Sequence, residues 1–228
     1  MKREVESLKT VRGDQTRALI LETALELFRT RGYDDTTMRV IAAEAGVALG
    51  NAYYYFKSKE HLVQAFYERL HQQQLAAAQP ILERERKLKS RLLGVLRNFL
   101  EIVEPYHRFS GNLFKTAADP ESPLNPFSRE SEAVRSESVQ LFEDVVNGSD
   151  VRIAPDLRRE LPYLLWLFHL GIVVFWIHDY SPGRKRTQKL MEQSVDLIVR
   201  LIRVAGSPWM RSLRKKILGL IGEARGVS

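Results

Sequence analysis

The sequence predicts an all-α fold, and three observations carry that expectation. Apolar residues recur every three to four positions along most of the chain. The alternation of Val, Ile and Thr that marks strands is missing. Gly and Pro interrupt the periodic runs at helix-length intervals, so about nine to ten helices fit the chain.

The first expected helix runs from Asp14 to Gly32. Ile20, Ala24, Leu27 and Phe28 fall at i, i+4, i+7 and i+8, one face of a helix, with Asp14 as the expected N-cap and Gly32 as the stop. A shorter helix fits Thr37 to Ala45, capped by Thr36 or Thr37, with Val40, Ile41 and Ala45 inward and Gly46 ending it. A four-residue turn, a short helix through Tyr53–Tyr55 and a long helix capped by Ser58 follow. Leu62, Phe66 and Leu70 give the long helix its apolar face, and Pro80 is expected to end it at about Gln79. A module of this size buries little surface alone, so the rest of the chain must supply most of the core.

Beyond Pro80, the basic stretch ERERKLKSR leads into a helix over 90–104, followed by one over 106–118. The run DPESPLNPFS, with three prolines, predicts a loop. Helices then fit 129–147, 156–178, 185–204 and 208–221, separated by Gly148, Ser181-Pro182-Gly183 and Gly206. The domains expected are 14–60, 61–206 and a basic C-terminal helix and tail over 207–228.

Composition excludes several classes. The 228 residues are 44% hydrophobic and 28% charged, as in a globular chain. With no cysteine there is no disulfide framework, thiolate nucleophile or Cys-based zinc site, which fits a cytoplasmic location. The start, MKREVESLKTVRGDQTR, lacks the apolar core of a signal peptide. His61, His71, His107, His169 and His178 show no metal-ligand spacing, and neither a phosphate loop nor a catalytic triad order stands out, so no enzyme activity, metal or cofactor is expected. A net charge of +7 invites a polyanion. Residues 1–60, however, hold ten Lys/Arg against nine Asp/Glu, so the nucleic-acid face has to be found from a motif rather than from charge.

That motif is GVALGNAYYYFKSKEH, residues 46–61. At about 100° per residue, Phe56 lies roughly 40° from Ala52 on the inner face, Tyr54 lies near 200° and points outward with Gly50 and Asn51, and Tyr53 and Tyr55 flank it. A helix, a glycine turn and a second helix make a helix-turn-helix, whose second helix enters the DNA major groove. Tyrosine hydroxyls donate to phosphates, their rings pack on sugars and thymine methyl groups, and the next helix offers its N-terminus at Ser58–Lys59 to a phosphate. On spacing alone, a core or dimer contact weighs equally with DNA for Tyr53 and Tyr54.

Within Arg17–Leu62 the run ILETALELFRTRGYDDTTMRVIAAEAGVALGNAYYYFKSKEHL resembles the N-terminal domain of the TetR family of one-component bacterial transcriptional regulators. The shared features are an apolar first helix ending in Gly32-Tyr33, a Thr-capped second helix, a Gly-Val turn and a Tyr-Tyr-x-Phe-x-x-Lys block. The resemblance implies DNA contacts at Thr37, Arg39, Gly50, Asn51, Tyr53, Tyr54 and Lys59. The chain departs from the pattern at Ala48, where Ser or Thr often caps the recognition helix, and at Leu49, where a polar base-reader is common.

Beyond residue 62 the match is in helix count and length. The resemblance implies a long helix joining the helix-turn-helix to a ligand-binding and dimerisation domain. Helices near 158–179 and 185–205 would form a four-helix bundle with a partner copy, Leu190, Val195, Leu197, Ile198, Leu201 and Ile202 supplying the second apolar face. Candidate ligand-binding residues are Tyr106, His107, Phe109, Phe114, Phe142, Trp166 and His169, of which about a third are expected to line a pocket suited to a small hydrophobic molecule. LPYLLWLFHLGIVVFWI, residues 161–177, carries no formal charge. A helix buried on all sides is favoured there over a membrane span. The basic amphipathic segment 207–226 is expected to pack back onto the bundle, with DNA backbone or a membrane surface as the alternative.

The expected function is a homodimeric DNA-binding regulator, a repressor released from a near-palindromic operator by a small hydrophobic ligand. The alternatives are a ligand-independent architectural or protein-interaction factor of the same fold, and a single-pass membrane protein with a cytosolic DNA-binding head.

Overall fold

The computed structural model describes residues 2–207 and 210–224, with side chains placed from residue 12 except at 112, 217 and 220–224. Among the described residues the regular structure is entirely helical: α1 (Lys2–Arg31), α2 (Met38–Glu44), α3 (Leu49–Tyr55), α4 (Lys59–Arg84), α5 (Leu88–Val103), α6 (His107–Ala118), α7 (Glu132–Asn147), α8 (Pro155–Ile177), α9 (Lys185–Ala205) and α10 (Arg211–Ala224). The all-α expectation holds. The chain divides into two compact units, Met1–Leu70 with Pro105–Glu132, and His71–Glu104 with Ala133–Ser228.

The first unit solves the small-core problem by borrowing a later segment. α1 buries Ile20, Leu21, Ala24, Leu27 and Phe28, and α6 adds Phe109 and Leu113. The Phe28 and Phe109 rings stack with centroids 5.5 Å apart, and Phe66 meets Tyr106 edge-on at 4.7 Å. Each such aromatic removes enough surface from water to contribute about 1.5–3 kcal/mol. Gly32 ends α1 at φ +93°, its N–H donating to Phe28 O, as the stop signal implied. Asp14 is not the N-cap: α1 begins twelve residues earlier, and Asp14 lies exposed inside it.

The second unit is built on α5, α7, α8 and α9 with the end of α4. Leu92, Val95 and Leu96 of α5, Phe142 and Val145 of α7, Leu165 and Trp166 of α8, and Met191, Val195 and Ile202 of α9 form one buried cluster. Pro80 does not stop α4, which continues to Arg84. The ring removes one helical hydrogen bond, yet Ile81 beyond it packs so closely on α5 that a Cβ on Gly94 would lie 2.5 Å from its Cγ2. That packing carries the helix past the proline.

α8 is long and apolar enough, with a mean hydropathy of 1.7, to cross a membrane by length and composition. It is not buried on all sides in this chain. Leu161, Leu165, Trp166, His169, Ile172 and Trp176 face the core, while Gly171, Val174 and Phe175 are exposed. The turn from α8 to α9 is held by Asp179, which accepts from Ser181 N, Thr187 N and Thr187 Oγ1 at 2.7–2.9 Å. Burial works to raise that carboxyl, but these hydrogen bonds outweigh it and hold it far below the usual carboxylate range.

α10 packs on α8, as expected of the C-terminal segment. Its Arg214 Nε donates to both Asp156 oxygens at 3.0 and 2.9 Å and holds that carboxyl below its ordinary value. Residues 208, 209 and 225–228, which the expected helix and tail included, lie outside the described residues.

Candidate functional site

α2 and α3 form the helix-turn-helix. The Thr37 hydroxyl accepts from Val40 N at 3.3 Å and caps α2. Gly46 leaves α2 at φ +65°, a left-handed conformation that a side chain strains, and Val47 N returns to Ala42 O at 3.0 Å. The chain then turns into α3, whose N-cap Ala48 makes no side-chain cap bond. α3 is therefore held by packing rather than by capping: Ala52 is fully buried and Phe56, just past its end, is 2% exposed.

The inward and outward faces fall where the helical angles put them. Tyr54 is 81% exposed and Tyr53 47%, and Tyr55 is half-buried with its ring edge-on to Tyr54 at 5.1 Å. Gly50, Asn51, Thr37 and Arg39 are exposed on the same pair of helices, and Leu49 is also exposed. Arg17 of α1 covers the Phe56 ring at 5.0 Å.

Lys59 is the first residue of α4, and its ammonium is engaged within the chain. Its Nζ donates to Tyr33 O at 2.7 Å and lies 4.2 Å from the Tyr33 ring centroid. The Tyr33 hydroxyl donates in turn to Glu60 Oε1 at 3.0 Å. Burial and the neighbouring Glu60 carboxylate push the Tyr33 phenol well up. Gly32-Tyr33, read as the end of the first helix, thus also fastens the start of α4.

The seven candidate ligand residues divide between the units. Tyr106, His107, Phe109 and Phe114 belong to the first, where Phe109 is 3% exposed and fills the core against Phe28 and Phe66. Phe142, Trp166 and His169 belong to the second. His169 is buried, edge-on to Phe99 at 4.6 Å and tilted to Phe142 at 5.8 Å, and its Nδ1 has no hydrogen-bond partner. Burial, with the nearby His71, pushes its pKa down to about 4, so the imidazole is neutral at pH 7.

Two residues of this region escaped sequence reasoning. His71 and Gln74 sit three apart on α4, buried at 4% and 3% exposure. The His71 Nδ1 lies 3.4 Å from Ser138 Oγ. Its Nε2 is 3.1 Å from Glu137 Oε2 but outside hydrogen-bond geometry. Burial lowers the His71 pKa against the opposing pull of Glu137. Gln74 Nε2 has no partner. A polar pair at i, i+3 within an otherwise apolar helix face was the available signal.

Among the described residues no cluster of His, Asp and Glu could hold a metal ion. Two family descriptions match the chain: "Bacterial regulatory proteins, tetR family" over residues 20–66 and "Tetracyclin repressor-like, C-terminal domain" over residues 91–215. An HTH-type transcriptional regulator from the dhlA 5′ region of Xanthobacter autotrophicus is 40% identical over 185 residues, covering 78% of this chain and 82% of its own. The transcriptional repressor KstR2 of Mycolicibacterium smegmatis is 29% identical over 168 residues, covering 72% of this chain and 78% of its own. Among solved structures, the Thermus thermophilus repressor FadR in complex with lauroyl-CoA is similar with a TM-score of 0.60, covering 82% of this chain and 92% of that one at 22% identity.

Proposed function

This chain belongs to the TetR family of bacterial transcriptional regulators, and we propose that it is a cytoplasmic homodimeric repressor released from a near-palindromic operator by a small hydrophobic ligand. One observation carries the DNA reading: α3 presents Tyr54 at 81% exposure while Ala52 and Phe56, on its other side, are buried. An exposed aromatic beside an exposed Asn51 and Gly50 is suited to sugar, phosphate and thymine methyl contacts. Thr37 and Arg39 would reach the flanking backbone from α2. Lys59, engaged with Tyr33, would present the free N–H groups of the α4 N-terminus more than its own ammonium. Residues 14–60 would be the DNA-binding module and 61–206 the ligand-binding and dimerisation domain.

Dimerisation is supported by apolar side chains left exposed on α8 and α9. Leu197, Leu201 and Val204 recur at i, i+4 and i+7, and Val174 and Phe175 are exposed on α8. Val195 and Ile202, by contrast, are core residues. A dimer through this face would set two recognition helices about one DNA turn apart, roughly 34–36 Å. Ligand would then act by population shift, favouring dimers whose recognition helices are wrongly spaced for DNA. The similar FadR structure holds lauroyl-CoA, which supports a ligand with an apolar body for this chain as well.

Hydroxyl-radical footprinting on DNA from upstream of the protein's own gene tests this reading. Two protected patches about one helical turn apart, related by approximate dyad symmetry, are expected. A single unsymmetrical patch would count against the dimeric repressor.

A further inference from the structure

Four helices of the second unit turn polar and aromatic groups toward one another. α4 brings His71 and Gln74, α5 Phe99, α7 Ser138 and Phe142, and α8 His169. A chain of contacts ties them together. Phe99 and Phe142 both touch the His169 ring, Ser138 lies one turn before Phe142 on α7 and 3.4 Å from His71 Nδ1, and Gln74 follows His71 one turn along the same buried face. In this apolar setting, Gln74 Nε2 and His169 Nδ1 have no hydrogen-bond partner. Each such group costs about 1–3 kcal/mol when buried without one, so two joined by one chain of packed side chains call for a ligand that satisfies them.

We propose that Gln74 and His169 form the polar end of the effector site, and that the effector is an apolar molecule carrying a neutral oxygen function, a hydroxyl or a ketone. The proposal rests on the reading of the second unit as ligand-binding. A hydroxyl both donates and accepts, so it suits an amide donor such as Gln74 Nε2 and an imidazole acceptor such as His169 Nδ1 alike. A ketone accepts from the amide. A carboxylate would need a buried cation, and among the described residues of this unit the buried guanidinium, Arg91, gives its donors to the carbonyls of Leu82, Glu85, Asp144 and Val145. His169, neutral at pH 7, supplies no charge either. Phe99 and Phe142 would flank the carbon skeleton next to the oxygen.

The test measures binding by calorimetry of decan-1-ol, decan-2-one and decanoate at pH 7.5. The full-length protein is compared with Gln74→Leu and His169→Phe, two replacements that keep volume and remove the polar atom. Operator release is followed in the same samples by anisotropy. The expected result is that the alcohol and ketone bind at least about tenfold more tightly than decanoate, and that each replacement weakens the alcohol by about tenfold, the loss of one hydrogen bond. Equal or tighter binding of decanoate, no binding of either neutral probe, or wild-type affinity of both variants for the alcohol would each overturn the proposal. If the alcohol binds through Gln74 and His169 without releasing operator, the site stands and the ligand-relieved repressor fails. Release that ignores both replacements would overturn the site and leave the ligand-relieved repressor standing.

Discussion

The guanidinium of Arg91 occupies the space that a side chain on Gly148 would need: a Cβ there would lie 2.6 Å from Arg91 Cζ. The two residues are 57 positions apart, and the glycine lets a buried arginine bind the ends of two helices. Arg91, 3% exposed, donates to Val145 O at 2.9 Å and Asp144 O at 2.6 Å near the end of α7, and to Glu85 O at 2.8 Å and Leu82 O at the end of α4. These carbonyls lie at the C-terminal, negative ends of two helix dipoles, and Asp144 O also accepts from Gly148 N at 3.1 Å. Desolvation lowers the Arg91 pKa, and the four carbonyls take the place of the lost water.

Arg91→Ala should therefore destabilise the protein by about 3–5 kcal/mol, because the carbonyls it satisfied stay buried. Gly148→Ala should cost about 1–3 kcal/mol by displacing the guanidinium. In the Arg91→Ala background the Gly148→Ala cost should largely vanish. Urea denaturation of the four proteins checks this, and additive effects would show that the two positions are uncoupled.

Tyr54→Ala should leave stability within about 0.5 kcal/mol of wild type, since the side chain is 81% exposed. It should weaken operator binding by at least about tenfold, in the range of a lost DNA contact. Phe56→Ala, two residues away and 2% exposed, should instead cost about 3–5 kcal/mol of stability. Thermal melts paired with DNA titrations separate the two effects.

The apolar stripe on α9 gives a second contrast. Leu197→Glu and Leu201→Glu change side chains 57% and 55% exposed in the single chain. They should shift sedimentation from dimer to monomer with the helical signal retained. Val195→Ala, at a fully buried position, should lower the melting temperature. A Leu197→Glu, Leu201→Glu double variant that sediments as wild type would place the dimer contact elsewhere.

Acid should destabilise the protein through His169. The native state keeps this imidazole neutral down to about pH 4, whereas the unfolded chain takes up its proton near 6.5. Between those values the unfolded state binds more protons, so stability is full above 6.5 and falls as the pH drops toward 4, by about 3 kcal/mol. His71 shifts in the same direction, opposed by Glu137. His169→Phe should flatten this part of the profile in urea melts at pH 7.5, 6 and 4.5. Parallel profiles for the two proteins would contradict the assignment.

The sequence showed the fold class and the recognition helix because both rest on local periodicity. Ala52, Phe56 and Tyr54 went to the faces their helical angles required, and the Thr37 cap and Gly32 and Gly46 stops are local chemistry. What stayed hidden depends on distant partners. Pro80 reads as a stop until Ile81 is seen packing against Gly94. Arg91 reads as one charge in a basic run until its four carbonyl acceptors, contributed by α4 and α7, are in place. The α9 stripe reads as one apolar face, yet Val195 and Ile202 are buried while Leu197 and Leu201 are not. Asp14 reads as a cap by residue type, but Val5, Leu8 and Val11 already fall at helical spacing before it, and α1 runs on from Lys2. Lys59 fits a phosphate contact by motif, but no spacing in the sequence announces that the Tyr33 carbonyl accepts its hydrogen bond.

Fluorescence anisotropy on the upstream DNA tests most directly whether α3 reads an operator that a ligand can empty. Measurements at about 150 mM salt compare that duplex with a scrambled one, since unspecific phosphate binding depends on salt. A panel of apolar small molecules is then added to the preformed complex. The expected result is tight binding to the upstream duplex alone, weakened by Tyr54→Ala and reversed by at least one compound. Equal affinity for the two duplexes, or binding that Tyr54→Ala leaves unchanged, would contradict the assignment of α3 as the reader. Specific binding that no compound reverses would contradict ligand-relieved repression.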